Sequence, residues 1–166
     1  MNKNIFYFLL LIFFTANTLS AFSEAKLSTN LVDSLKKELL RKKGADRIAF
    51  QLEIAMQIMD NEKHEAEVLA DSALKASQAM KSKNLEMRSY HALGRINEAL
   101  NKKDQSVKYY DSALLIAEEI HDNWYKGEIL FRKGVIKNSE GEEIDALEFL
   151  NGSIQACRLS HNYRTM

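Results

Sequence analysis

The side chains best suited to metal or nucleophilic chemistry in this chain of 166 residues are four histidines, His64, His91, His121 and His161, and one cysteine, Cys157. A metal site on a helix needs two ligands at helical spacing, as in His-x-x-x-His or Glu-x-x-His, with a third close by. No stretch carries such a set, so no metal is expected. A catalytic thiol needs a neighbouring base. Cys157 has none in view and falls on an apolar stripe, where a small buried packing role is expected. A single cysteine makes neither an internal disulfide nor a cysteine-based zinc site. The chain also lacks a glycine-rich phosphate loop, a nucleophile elbow and a paired-carboxylate motif. Hence no catalytic residue, no cofactor and no enzyme activity are expected. Recognition remains. Arg88, His91 and Arg95 are spaced three and four apart and share one helix face. Guanidinium forks on that face can hold the carboxylates of an acidic peptide or a chain terminus.

Charge and composition narrow the partner. Lys+Arg and Asp+Glu each number 23, so the net charge is zero. That balance gives no bulk attraction to nucleic acid or an anionic membrane, so the expected partner is a protein or peptide. Proline is absent, which suggests continuous helices joined by short turns.

The N-terminus reads as an address. A weakly positive start, Met1 to Asn4, leads into an apolar run from Ile5 to Phe14 and then small polar residues up to Ser23. This is the order of a secretory signal peptide. The run is about ten residues, short of the roughly 20 that span a bilayer as a helix. Residues 1–23 are therefore expected to be a leader cut near Ser23–Glu24, and the mature chain periplasmic or secreted. An uncleaved N-terminal membrane anchor is the alternative. No second apolar stretch is long enough to span.

A forty-residue period organises the rest. Asp71-Ser72-Ala73-Leu74 recurs as Asp111-Ser112-Ala113-Leu114, with a weaker echo at Asn151-Gly152-Ser153-Ile154. At the same offset Gly94 falls on Gly134, Tyr110 on Leu150 and His121 on His161, while Ala66, Ser106 and Ala146 coincide as small residues. Each unit divides into two amphipathic helices. The third carries Ile129, Leu130, Val135 and Ile136, then Ile144, Leu147, Leu150, Ile154 and Cys157. Asn61, Asn101 and Gly141 share one phase between paired helices and are suited to a left-handed turn. Asp46 and Asp104 are expected as helix caps, and His121 and His161 as turn residues. Lys81, Lys83, Lys102 and Lys103 are expected as solvated loop charges. Upstream, residues 24–45 read as a half repeat whose helix, with Leu31, Leu35, Leu39 and Leu40, is stopped by Gly44. The array proper is expected over residues 46–166.

These residues resemble the tetratricopeptide repeat family. Tyr90, Leu93-Gly94, Ser106, Tyr110 and Ala113 fit its pattern. Leu130, Gly134, Ala146, Leu150 and Ser153 fit less closely, and Phe50, Ala66, Ala70 and Ala73 fit with Ile54 in place of the glycine. The usual proline is missing. The six additional residues resemble a longer variant, extended in the second helix and its exit loop. The resemblance implies an all-α, right-handed solenoid of antiparallel helix pairs, about three repeats plus a partial one, acting as a non-catalytic protein-binding scaffold in the bacterial envelope.

It also implies a concave groove lined by the first helices. Its positions are Gln51, Ala55 and Ile58 in the first unit and Arg88, His91 and Arg95 in the second. Glu128, Phe131, Val135 and Asn138 follow in the third. Trp124 and Tyr125 are expected to fill the wedge between repeats. An exported array of this kind also resembles the sensory N-terminal regions of Bacteroidetes-type histidine kinases and helix-turn-helix regulators, so a truncated input region of such a regulator is the alternative function. In a stacked array the apolar face of the last helix has no neighbour. Either a C-terminal continuation or a second chain is therefore expected to cover it.

Overall fold

The computed structural model describes residues 32–162, with side chains as far as residue 160. The expected leader, residues 24–31 and the last residues of the expected array, 163–166, lie outside these. The chain divides into two compact units between Arg41 and Lys42. In the first, residues 32–39 form helix α1. Gly44 does not stop this helix. It opens the next one, with φ +55°.

The second unit holds α2 (Gly44–Ile58), α3 (Lys63–Ala79), α4 (Lys83–Ala99), α5 (Lys103–Glu119), α6 (Asn123–Ser139) and α7 (Glu143–Asn162). The described residues contain no strand. The limits of α3 and α5 differ by forty residues, as do those of α4 and α6, so the sequence period is a structural period. First and second helices are equally long, 17 residues in both α4 and α5. The lengthening of the repeat is thus shared by both helices rather than confined to the second.

Packing follows the small residues. Ala66, Ser106 and Ala146 are buried where paired helices cross, and the Ser106 hydroxyl donates to the Gly94 carbonyl at 2.8 Å. Close approach at Gly94 lets the Tyr110 ring lie flat in the space a Cβ would occupy. Around that ring Met87, Ala113, Ile116, Ala117, Ile129 and Ile136 form one core joining α4, α5 and α6. Burying such side chains contributes roughly 1.5–3 kcal/mol each.

The turns obey the period more widely than expected. Asn101 and Gly141 take positive φ as predicted, and so do Lys81 and His121 between repeats. At all four turns an amide closes a six-residue loop onto the preceding helix, for example Lys102 N to the Asn97 carbonyl at 2.8 Å and Asp122 N to the Ala117 carbonyl at 2.8 Å. This is the glycine-type helix stop, made largely without glycine. Asn61 is the exception: Glu62 N bonds Ile58 at 2.7 Å, and φ at Asn61 stays negative. Histidine in a left-handed turn costs about 1 kcal/mol. His121→Gly is therefore expected to raise stability by about 0.5 kcal/mol after the entropy of the unfolded glycine is counted. A lower thermal midpoint for that variant would contradict the turn assignment.

Several expectations at helix ends are corrected. Asp46 and Asp104 lie inside the first turns of α2 and α5 and cap neither helix. They favour the helix through its dipole instead. Asp122 is the side chain that caps, accepting from Tyr125 N at 3.0 Å. The lysines are not merely solvated. Lys63 donates to the Ala99 carbonyl at 2.8 Å and Lys103 to the Ser139 hydroxyl at 2.9 Å, one staple repeated at the forty-residue offset. Lys102 pairs with Glu67 and Lys83 with Glu119. His161 occupies helical backbone in α7 rather than a turn.

Candidate binding groove

The first helices α2, α4 and α6 supply the candidate surface. α2 packs on α4, and Tyr125 and Glu128 of α6 reach His91 and Arg95 of α4. Between the three helices lies an open pocket of about 270 Å³ lined by Leu52, Met56, Arg88, His91, Ala92 and Tyr125.

The structure brings Arg88, His91, Arg95 and Glu128 together, but not as a uniformly basic stripe. Glu128 stands forty residues after Arg88 and turns back onto α4. Its carboxylate lies 4.0 Å from Arg95 and 4.0 Å from His91 Nε2, and accepts from Arg132 Nε at 3.0 Å. Arg132 also lies 4.0 Å from Glu98, which accepts the Tyr110 hydroxyl at 2.9 Å. A chain of alternating charge therefore runs along the α4–α6 seam. Burial, then the Glu98 carboxylate, pushes the Tyr110 phenol far above its ordinary range.

His91 is buried, edge-on to Tyr125 at 5.3 Å between ring centres. Burial lowers its pKa to about 4, with Arg95 and Arg132 adding to the effect and Glu128 opposing it. The imidazole is neutral at pH 7, and its Nε2 has no hydrogen-bond partner in the structure. Arg95 is engaged by Glu128. Of the three basic residues of this stripe, Arg88 keeps a guanidinium with no carboxylate partner among the described residues, beside the Tyr125 hydroxyl.

The remaining expected positions divide. Phe131, Val135 and Asn138 are exposed along α6. Gln51, Ala55 and Ile58 are buried and line no open surface; the Gln51 amide is spent on the Leu69 carbonyl at 3.0 Å. The residues α2 gives the pocket are Leu52, Glu53, Met56 and Gln57, the neighbouring stripe of the same helix. Sequence reasoning missed them because the expected stripe is buried in the packing of α2 against its neighbours. Trp124 is exposed and leans edge-on against Tyr125, whose ring turns inward, so Tyr125 alone fills the wedge. Cys157 is exposed, with its sulfur over Gly127. Among the described residues no three His, Cys, Asp or Glu side chains converge as metal ligands, and no helix is long and apolar enough to cross a membrane.

No protein-family model matches the chain, and no curated protein does. Among solved structures the chain is similar to the TPR domain of Arabidopsis FLU, with a TM-score of 0.61 at 18% sequence identity, covering 75% of this chain and 98% of that one. The fold is an all-α solenoid of helix pairs, like that of the TPR domain. In this array Gly94 and Gly134 each lie beneath the large residue of the second helix, Tyr110 and Leu150. The similarity bears on the fold, since at this identity side chains in the groove are free to differ.

Proposed function

We propose that this chain is a non-catalytic repeat scaffold that holds a peptide or protein segment in the groove of α2, α4 and α6, and that it works in the bacterial envelope after export. The leader-like order of residues 1–23 supports the address. Arg88 carries the binding reading. Among the described residues it is a guanidinium with no carboxylate in ion-pair contact, set beside the Tyr125 hydroxyl in a pocket that Leu52, Met56 and Ala92 line with apolar surface and Glu53 and Gln57 with polar surface. That combination suits an acidic side chain or a terminal carboxylate followed or preceded by an apolar residue. Arg95, held by Glu128, plays a smaller part.

The expected result is specific to that division of labour. In a fluorescence titration with short acidic peptides carrying an apolar neighbour, Arg88→Ala weakens binding at least tenfold, about 1.4 kcal/mol. Arg95→Ala weakens it less than about threefold, because Glu128 already offsets that charge. Equal effects of the two substitutions, or none from either, would end the proposal.

A further inference from the structure

Two opposite charges line the α2–α4 groove without meeting. Glu53 of α2 and Arg88 of α4 both border the pocket of about 270 Å³, and neither forms an ion pair with a described residue. The forty-residue period explains why Arg88 stays open. Its counterpart Glu128 is met from the preceding first helix, by Arg95 and by His91 Nε2 at 4.0 Å each. One repeat earlier those two positions are Ala55 and Gln51. Both are buried, and the Gln51 amide donates to the Leu69 carbonyl at 3.0 Å. The α2–α4 seam therefore offers Arg88 no acid at the positions where the next seam supplies the opposite charge.

Helix spacing decides what meets both charges. Packed helices lie about 8–10 Å apart, and α2 packs on α4. A segment crossing from one to the other in polyproline-II conformation rises about 3.1 Å per residue and returns to the same face every third residue. Three residues cover roughly 9 Å, which matches the helix spacing. Side chains three apart then reach α2 and α4 together. A residue between them lies over Leu52, Met56 and Ala92.

We propose that the peptide segment held in this groove is dipolar: a carboxylate for Arg88 and, three residues away, a lysine or arginine for Glu53, with an apolar residue between. This rests on the peptide-binding reading above and adds to it the second charge and the spacing. Glu53 is exposed, so its pair contributes little affinity. Its role is selection, since a like charge set against it costs more than the right charge gains. A segment with acids at both positions is turned away, and a segment with one acid and one base is kept.

Three fluorescent, end-blocked peptides test it, containing Lys-Leu-Ala-Glu, Gln-Leu-Ala-Glu or Glu-Leu-Ala-Glu, each made in both chain directions. They are titrated with the full chain at low salt, where exposed charges are least screened. In one direction the dipolar peptide is expected to bind about threefold more tightly than the glutamine peptide and about tenfold more tightly than the diacidic one. Glu53→Lys, at an exposed position, should reverse that ranking with the circular dichroism spectrum unchanged. Arg88→Ala should weaken all three peptides. Inserting one alanine between the charges should remove the dipolar advantage. Equal binding of the three peptides, still weakened by Arg88→Ala, overturns the dipolar inference and leaves the peptide-binding reading standing. A ranking that survives Glu53→Lys or the inserted alanine also overturns it, since the second charge would then lie elsewhere. If no peptide binds, both readings fall.

Discussion

Gly94→Ala is expected to destabilise the array by about 2 kcal/mol, although alanine is the better helix former by about 1 kcal/mol. A Cβ at residue 94 would lie 2.5 and 2.7 Å from the Tyr110 ring. The ring cannot retreat. It is fully buried in the central core, and its hydroxyl is held by Glu98 at 2.9 Å. The repeat-equivalent change, Gly134→Ala, provides the control. Its Cβ would meet Leu150 at 3.0 Å and the Ala146 carbonyl at 3.2 Å, but Leu150 is a flexible, half-buried side chain and the carbonyl contact needs only a small backbone shift. Movement of Leu150 and the gain in helix propensity should leave that variant within about 0.5 kcal/mol of the parent. Combining Gly94→Ala with Tyr110→Leu, which recreates the third repeat's pair in the second, should recover part of the loss. Urea titrations followed by circular dichroism decide the matter. Equal stability of the two alanine variants, or strict additivity in the double variant, would mean that Tyr110 is not pinned.

The same pair explains what the sequence could reveal. Periodicity is a property of packing, and packing repeats. A glycine with a large residue at its partner position, and a small residue where helices cross, predicted hairpins that the coordinates contain. Turns were legible where the residue type advertised them, at Asn101 and Gly141. At His121 the shared phase pointed to a turn, but the left-handed backbone stayed hidden at Lys81, whose side chain does not favour the conformation that the repeat geometry imposes on it. The groove was harder to read because it depends on which stripe of each helix its neighbour covers. Residues 51, 55 and 58 satisfy the family spacing, yet neighbouring helices bury them. Residues 52, 53, 56 and 57 carry no motif and face the pocket. Charge was legible only as a sum. Arg88, His91 and Arg95 read as a basic stripe along α4, while the acid that neutralises part of it, Glu128, comes from the next repeat.

His91 makes that difference measurable as acid sensitivity. An ordinary histidine has a pKa near 6.5, and burial brings this one down to about 4. Between those values the unfolded chain binds a proton that the folded chain refuses. Stability due to His91 is therefore intact above about pH 6.5, falls as the pH drops from 6.5 to 4, and changes no further below that. The full loss is about 3 kcal/mol, a large share of a typical domain's stability. Carboxylates protonate in part of the same window, so the comparison has to be with a variant that lacks only the imidazole. His91→Gln serves, because glutamine already occupies the equivalent buried position as Gln51. Urea titrations at pH 7.5 and pH 4.5 should show the parent losing about 2 kcal/mol more than His91→Gln over that interval. If the two proteins lose the same amount, burial does not lower the His91 pKa in the folded state, and Glu128, 4.0 Å away, offsets the burial by holding an imidazolium once the pH falls below the ordinary histidine range.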